Sequence, residues 1–400
     1  MESSTLKTKP VLLAWCMCFL LMELCGAGFA RSGTHTQFDF RSFYTAGYLA
    51  RTAPSKLYDL TLQEQLQDAL VSQRKNVLAF YHPSYETLLY APFSMLSYRS
   101  AYLTFIAFNM LLLLAAIFAA RPLFPASPTW LKSRPWLAFF LYLPAYAAIV
   151  MGQDSILLLL LCCIALQQLE SGNDLSAGCL IALALFKFQI ITPIAALIAI
   201  RRGWRFASGF LLSSAGVALL CLAVGGRSGI ANYFRLLSGA GSAIDRSAIA
   251  QQRLSVFPWA MPNAAGLLYA CGARFLRSPL GFDLIIGLCS LALFAWCASV
   301  LGRRDQKAAY SIAILCGLLV SYHLYLYDLT PSILMAALLA GRLPRYILAI
   351  MFLLPVLLLP LGSNSFFLLA IPVLAMLIYT LVDSSRSPVE SSAPMQAAAI

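Results

Sequence analysis

The chain has 400 residues, of which 60% are hydrophobic and 11% charged, and its mean hydropathy is +0.79. Soluble domains carry about 25% charged residues, so this composition argues against a soluble globular fold. The formal net charge of +12 would suggest nucleic-acid binding in a soluble protein. Here the Lys and Arg residues cluster in short links between apolar runs, as the positive-inside bias predicts. We therefore expect the lipid bilayer as a partner, and no nucleic acid.

The first apolar run, 11–30, follows Lys7 and Lys9. It is longer than the apolar core of a signal peptide, which has about 7–15 residues. Small residues between 25 and 30 leave a cleaved signal peptide as the alternative. We interpret the run as a retained first membrane helix.

Further apolar runs long enough to cross a bilayer follow along the chain. With the first, the predicted spans are 11–30, 101–120, 136–151, 154–169, 206–225, 282–301, 309–326, 345–361 and 365–382. Residues 329–341 form a shorter candidate, and 175–200 is either one span or two half-spans broken around 187–189. Two half-spans keep the basic cluster at 201–205 on the cytoplasmic side with the basic cluster at 303–307, so we expect this arrangement.

The predicted fold is therefore all-α, a polytopic transmembrane protein with roughly 10–12 membrane segments. Residues 1–382 are expected to form one multispan domain, with two larger outer loops at 31–100 and 226–281. Both loops mix aromatic, charged and proline residues, which suits amphipathic helices at the membrane interface, the first from Asp59 to Val77. The tail 383–400 is rich in Ser, Pro and Ala and is predicted to be a disordered cytoplasmic segment.

Cysteine and glycine patterns predict no bound group. Most of the 11 Cys residues lie inside apolar runs, without the spacing of metal ligands or of a disulfide framework. The chain also lacks a phosphate-binding glycine-rich loop. We expect no cofactor and no metal.

Asp39 is the first candidate catalytic residue, in the motif Gln-Phe-Asp-Phe-Arg-Ser-Phe-Tyr just beyond the first predicted helix. A carboxylate among aromatic residues at a membrane surface is partly desolvated, which moves its pKa upward toward that of a general base. An interfacial ion pair with Arg31 or Arg41 is the alternative interpretation.

Two further polar motifs lie before predicted spans. The segment 80–92 contains Tyr81 and His82, whose rings could line a sugar subsite or belong to an interfacial aromatic belt. Residues 151–155 form a tight turn, and Gln153 with Asp154 makes it more polar than a helical hairpin requires.

Lys187 and the segment 321–331 supply the remaining candidates. A lysine between long apolar runs is costly and is typical of a functional site, although it could also snorkel to the interface. His323 and Tyr327 are four residues apart, which would place them on one helix face, with Asp328 following. These residues suit binding of a phosphate and a sugar, or a proton relay in a transporter.

In order, these motifs are similar to those of glycosyltransferase family 87, in the GT-C superfamily. The matching pieces are Tyr-His-Pro at 81–83, Gly-Gln-Asp at 152–154, Phe-Lys-Phe-Gln at 186–189, Met-Pro-Asn-Ala-Ala at 261–265 and Tyr-Asp-Leu at 327–329. The resemblance covers roughly 36–345 and implies an inverting transferase. Its donor would be a polyprenyl-phosphate sugar, with mannose as the default, and its acceptor a glycolipid or glycan. It would be a multi-pass protein of the bacterial inner membrane, with its active site on the periplasmic side.

The resemblance also implies roles for particular residues. Asp39 matches the presumed general base, and Lys187 and His323 match residues expected to hold the donor phosphate. We expect further substrate contacts from Arg41, Tyr44, Tyr81, His82, Gln153, Asp154, Gln189, Asn263, Tyr327 and Asp328.

The sequence departs from the expected pattern in three respects. Phe188 replaces the proline usual between the lysine and the glutamine, and His82 stands where a proline or small residue is common. Many GT-C enzymes have a pair of neighbouring acidic residues after the first helix that can bind a metal, whereas here only Asp39 follows it closely, so a metal is not predicted.

Two other functions remain open from the sequence. In a transporter or lipid flippase, His323, Asp328 and Lys187 would carry protons or bind substrate, but we find no internal repeat of the kind such proteins show. In a membrane assembly partner without catalysis, the outer Asp39 would have no explanation.

Overall fold

A computed structural model of the chain describes residues 8–72, 77–124, 134, 136–239, 257–272 and 279–383. Every regular element in those ranges is an α-helix or a short 3-10 helix. The α-helices are α1 Thr8–Ser32, α2 Phe40–Thr52, α3 Leu60–Val71, α4 Thr87–Tyr90, α5 Tyr98–Ala120, α6 Leu137–Phe140, α7 Leu143–Met151, α8 Ser155–Glu170, α9 Asp174–Leu183, α10 Phe188–Arg202, α11 Trp204–Gly239, α12 Ala264–Gly272, α13 Pro279–Leu301, α14 Gln306–Val320, α15 Ser332–Leu339, α16 Arg345–Leu358 and α17 Ala370–Val382.

The polytopic all-α fold predicted from composition is confirmed. Five helical stretches are long and apolar enough to cross a membrane, and the broken pair α9 and α10 adds a sixth if it counts as one span. Helices α11 and α13 are mostly exposed along their apolar stretches, with large side chains such as Leu211 and Leu284 facing outward. Such apolar faces are suited to contact with lipid.

Some predicted spans differ from the observed helices. The run 136–151 is two helices, α6 and α7, interrupted at 141–142, and the run 309–326 ends its helix at Val320. His323 therefore lies in an irregular segment, and the prediction that it shares a helix face with Tyr327 is wrong. Hydropathy did not signal this break because apolar side chains, such as the fully buried Leu324, continue through it.

Basic residues from separate parts of the chain meet at one end of the bundle. Arg201 donates to the carbonyl of Gly302 at 2.9 Å, and Arg202 donates to Asp174 at 2.7 Å. Arg342 pairs with Asp305 at 2.5 Å, and Arg304 donates to the carbonyl of Asp383. We call this region, with Arg201, Arg202, Arg304 and Arg342, the Arg-rich end.

Helices α9 and α10, which were predicted as two half-spans, are joined at a sharp bend, and their far ends meet at the Arg-rich end. The Asp174–Arg202 contact joins the first residue of α9 to the last of α10. Ten residues of α9 rise about 15 Å, half of a bilayer's hydrocarbon thickness. The 3-10 turn Leu185–Lys187 forms the apex of this segment. The contacts agree with the return expected from the charge pattern.

Part of the region 31–100 folds into short helices packed over the bundle. Helix α3 is capped by Asp59, whose side chain accepts from the Leu62 N–H at 3.1 Å, and it lies within the helix predicted from Asp59 to Val77. Its polar face is not wholly solvated, however, because Gln63 and Gln67 are buried and bond to neighbouring backbone groups. The predicted disordered tail lies outside the described residues after 383, as does 240–256 of the second loop.

Candidate active site

A glycine turn between α7 and α8 positions two of the predicted polar residues. Gly152 ends α7 with φ 71°, and the Gln153 N–H reaches back to the Ala148 carbonyl at 2.8 Å. This left-handed turn is a common helix end that glycine adopts without strain. A side chain at 152 would also meet Cβ of Phe40 at 2.5 Å, so glycine allows α2 to approach the turn closely. The turn thereby holds Gln153 and Asp154 against the start of α2.

Lys187 joins the turn to the segment after α14. Its ammonium lies 2.8 Å from Asp154 and 2.6 Å from Asp328, and only 2% of the residue is exposed. It also lies 5.4 Å from the centre of the Tyr327 ring, within the range of a cation–π contact. Two carboxylates and an aromatic ring thus stabilise a buried lysine at the apex of the half-spans.

Asp328 is fixed by its own segment as well as by Lys187. One of its oxygens accepts from the Tyr325 N–H at 2.9 Å, and the other accepts from the Ser155 hydroxyl at 3.2 Å. The first contact caps the 3-10 helix Leu326–Leu329, and the second reaches the first turn of α8. Asp328 therefore connects the segment after α14 to α8.

Asp39 contacts the same group of residues through Gln153. The Gln153 amide donates to Asp39 at 2.7 Å, while its oxygen lies 3.4 Å from the Lys187 ammonium. Asn109 in turn donates to the Gln153 backbone carbonyl at 3.1 Å. Gln153 is itself buried, so it holds the carboxylate of Asp39 in a fixed position beside the lysine.

The environment of Asp39 favours a proton acceptor. Burial raises the pKa of its carboxyl above the ordinary value, although hydrogen bonds from Gln153 and Tyr327 and the charges of Lys187 and Arg41 act in the opposite direction. Asp39 is nevertheless partly exposed, whereas the carboxylates of the other acidic residues in this region are buried. A carboxylate with a raised pKa can take a proton from a hydroxyl bound beside it.

His82 and Glu86 complete the group. Nδ1 of His82 lies 2.6 Å from Glu86 and 3.4 Å from Asp154. Burial lowers the pKa of His82 to about 4, so its imidazole is neutral near pH 7. Burial and the neighbouring Asp154 raise the pKa of Glu86 well above its ordinary value. We call His82 and Glu86, together with Asp39, Asp154, Asp328 and Lys187, the carboxylate cluster.

Comparison with known proteins identifies the family. A sequence model of glycosyltransferase family 87 matches residues 80–325. The chain belongs to glycosyltransferase family 87. It is therefore a membrane glycosyltransferase, as its motif order indicated. No curated protein and no solved structure matches the chain.

The family match includes much of the cluster but not all of it. His82, Glu86, Asp154 and Lys187 lie inside 80–325, whereas Asp39 precedes the matched region and Asp328 follows it. The fold brings these two outer residues to the matched ones. In this family 87 glycosyltransferase, the cluster lies about one helix length from the Arg-rich end. Helix α8 extends about 24 Å from the turn at Asp154 to Glu170.

His323 lies beside the cluster on a tethered segment. Its ring packs edge-on against Tyr325 with centroids 4.7 Å apart, and the side chain is partly exposed. Burial lowers its pKa, so near pH 7 it would offer a hydrogen bond rather than a positive charge. Asn263 holds this segment, because its amide donates to the Ser321 carbonyl at 2.6 Å and its oxygen accepts from the Gly266 N–H at 2.9 Å.

The other predicted substrate residues have varied positions. Arg41 is buried near Asp39 and donates to the Thr36 carbonyl at 3.3 Å. Tyr44 is directed away from the cluster toward the Leu96 carbonyl, at 2.8 Å. Tyr81 lies close to Tyr325, and Gln189 is partly exposed in the first turn of α10. Their substrate contacts remain predictions.

Glu86 is the principal cluster residue that the sequence did not single out. It follows His82 by four residues, and the two side chains meet although 84–86 is a 3-10 turn rather than an α-helix. The His-x-x-x-Glu spacing was the available signal, but a glutamate before an apolar run is also an ordinary interfacial residue. Its almost complete burial, at 3% exposure, distinguishes it, and burial is visible only in the structure.

Proposed function

We propose that this chain transfers a sugar, with mannose as the default, from a polyprenyl-phosphate donor to an acceptor hydroxyl, with inversion at the anomeric carbon. The observation that carries the proposal is the position of Asp39. Glu86, Asp154 and Asp328 are 3%, 1% and 2% exposed, whereas Asp39 is a partly exposed residue beside them. In the proposed complex the acceptor hydroxyl binds next to Asp39 and the buried ion pairs stay intact.

The proposed reaction is a single displacement. The acceptor oxygen forms a bond to the anomeric carbon while its proton passes to the carboxylate of Asp39. The bond from that carbon to the phosphate oxygen breaks, and the electron pair leaves with the polyprenyl phosphate. One base is sufficient for inversion, because the incoming oxygen attacks the face opposite the leaving group.

The leaving phosphate needs stabilisation as its negative charge grows. We assign this to Lys187, with a hydrogen bond from His323, in the manner of preorganised donors that stabilise a developing anion. Lys187 is paired with Asp154 and Asp328 in this structure, so a bound phosphate would share its ammonium with them. The exposed apolar faces of α11 and α13 are suited to lipid and to a polyprenyl chain.

Charge distribution supports an active site on the non-cytoplasmic face. Positively charged loops are retained on the cytoplasmic side of membrane proteins. If the Arg-rich end is cytoplasmic, the cluster lies one helix length away, toward the opposite face. A bacterial inner membrane with a periplasmic active site agrees with this orientation.

The test is transfer from a radiolabelled polyprenyl-phosphate mannose in membranes that contain the Asp39→Asn variant. General-base catalysis contributes about 10²–10⁴-fold, so we expect a loss of at least a hundredfold. Asp59→Asn is the matched control, because Asp59 caps α3 and has no place in the cluster. Near-normal turnover of Asp39→Asn, at equal expression, would refute the assignment, and a product that retains the donor's configuration would refute the single displacement.

A further inference from the structure

Three side chains of the cluster are arranged like a metal centre. One ligand atom from each of His82, Glu86 and Asp154 lies within 4.8 Å of the other two. Nδ1 of His82 is 2.6 Å from Glu86 and 3.4 Å from Asp154. Ligands about 2.0–2.2 Å from one ion lie about 3 Å apart, so these distances require only a small adjustment.

The carboxylate of Glu86 lacks ordinary hydrogen-bond partners among the described residues. Both of its oxygens and Nδ1 of His82 are buried without a contact of hydrogen-bond geometry, whereas Asp154 pairs with Lys187. The Tyr90 hydroxyl and Asp154 lie close enough to Glu86 to influence it, but they do not satisfy both of its oxygens geometrically. A buried carboxylate without partners is costly unless a proton or a cation compensates it.

The number of charged side chains in the cluster also points to a missing cation. The cluster contains four carboxylates, at Asp39, Glu86, Asp154 and Asp328, and its cations are Lys187 and Arg41. Carboxyl groups therefore outnumber the cationic side chains by two in a desolvated site. A bound divalent cation would offset this excess.

The surroundings also hold the imidazole in place. Phe43 packs edge-on against His82 at 5.0 Å and Phe80 stacks on it at 5.6 Å. Tyr58 donates to the His82 backbone carbonyl at 2.9 Å. An imidazole held in a fixed orientation is preorganised for binding a metal.

We propose that His82, Glu86 and Asp154 bind a divalent transition-metal cation of the Mn²⁺ or Zn²⁺ type. One nitrogen and two carboxylates suit these ions, whereas a site for Mg²⁺ or Ca²⁺ would be built from oxygen ligands. Asp154 would use the oxygen facing His82, while its other oxygen keeps the contact with Lys187. The site can be tested separately from the proposed reaction, because the readout is metal binding and not sugar transfer.

The proposal can be tested on the purified full-length protein in detergent, stripped with a chelator. Mn²⁺ is titrated in and the free ion is followed by electron paramagnetic resonance, with Zn²⁺ as the competitor. We expect one bound equivalent that Zn²⁺ displaces. His82→Ala and Glu86→Gln should each weaken metal binding at least tenfold. Even the loss of a residue that only supports a metal ligand lowers metal affinity about 10–100-fold.

His35→Ala is the matched control. The chain has three histidines, and His35 stacks on Tyr98 away from the cluster, so this variant should bind like wild type. A Co²⁺ spectrum without thiolate charge-transfer bands would exclude the 11 cysteines as ligands. Binding that survives in His82→Ala, or that is lost equally in His35→Ala, would overturn the proposal.

A measurement on wild type alone covers the case in which the variants do not fold. Pulsed electron paramagnetic resonance of bound Mn²⁺ detects coupling to a directly bonded imidazole nitrogen. We expect coupling to one such nitrogen. Folded wild-type protein that binds neither Mn²⁺ nor Zn²⁺, or that shows no nitrogen coupling, would mean that a shared proton balances the carboxylates, and the proposal would fail.

Discussion

Replacement of Lys187 by methionine tests how far the cluster depends on its lysine. Methionine keeps much of the side chain's length but removes the charge, leaving Asp154 and Asp328 without the ammonium at 2.8 and 2.6 Å. Both carboxylates are 2% exposed or less, so water cannot replace it. Removing one partner of a buried ion pair costs about 3–5 kcal/mol of unfolding free energy. That is a large part of the about 5–15 kcal/mol available to a folded protein.

The assay compares unfolding of wild type and Lys187→Met in the same detergent. A loss of this size changes the unfolding equilibrium constant more than about a hundredfold. Arg342→Met is the control, because the Arg342–Asp305 pair is partly solvated, with side chains 24% and 36% exposed. Exposed ion pairs contribute about 0–1 kcal/mol.

A second substitution separates charge from packing. Asp328→Asn removes one of the two unpaired carboxylates, so the double variant should be more stable than Lys187→Met alone. The defect should also shrink at lower pH, because protonation of the unpaired carboxylates removes their buried charge. If Lys187→Met is no less stable than Arg342→Met, or if Asp328→Asn gives no rescue, the reasoning about the buried pairs is wrong.

Three further outcomes follow from the site geometry. Transfer requires ionised Asp39, so activity should fall as the pH drops through the raised pKa of its carboxyl. Gln153→Leu removes a hydrogen bond that lowers this pKa, so the acid limb of the kcat profile should move to higher pH. An acid limb that does not move would contradict the role of Gln153. Gly152→Ala should destabilise the protein by about 1–3 kcal/mol through backbone strain, and the clash with Phe40 should add to this loss. Gly28→Ala is the control in the same unfolding assay, because an added Cβ there meets nothing within 4 Å. Asn263→Ala should lower stability by about 1 kcal/mol through loss of its contact to the Gly266 N–H. It should also raise the donor KM, because the segment that carries His323 loses its contact at the Ser321 carbonyl, and an unchanged KM would contradict this role.

Hydropathy and charge were sufficient to predict the fold class. Apolar length predicted the membrane helices, and the basic cluster at 201–205 predicted that 175–200 turns back at Lys187. The same signals failed where the backbone leaves a helix within an apolar run. The helix ends at Val320, and Asp328 caps the next 3-10 helix through the Tyr325 N–H. A hydropathy profile contains no information about such a cap.

The site was predictable in its composition but not in its pairing. Asp39, Gln153, Asp154, Lys187 and Asp328 were all recognisable as polar residues that an apolar chain retains at a cost, and the structure brings them into contact. The sequence separations of these contacts, 114 residues between Asp39 and Gln153 and 141 between Lys187 and Asp328, hide the partners. Lys187 was therefore expected to be free for a phosphate, whereas it is held by two carboxylates.

That pairing gives the lysine and the exposed aspartate complementary properties. A free ammonium near Asp39 would lower the pKa of the carboxyl and make it a weaker base, because an adjacent positive charge favours the ionised form. Lys187 is instead largely neutralised by Asp154 and Asp328, so its effect on Asp39 is smaller than that of burial, which raises the pKa. A donor phosphate that competed for Lys187 would further reduce its influence on Asp39. On this reasoning, donor binding would make Asp39 a stronger base at the stage when the acceptor must lose its proton.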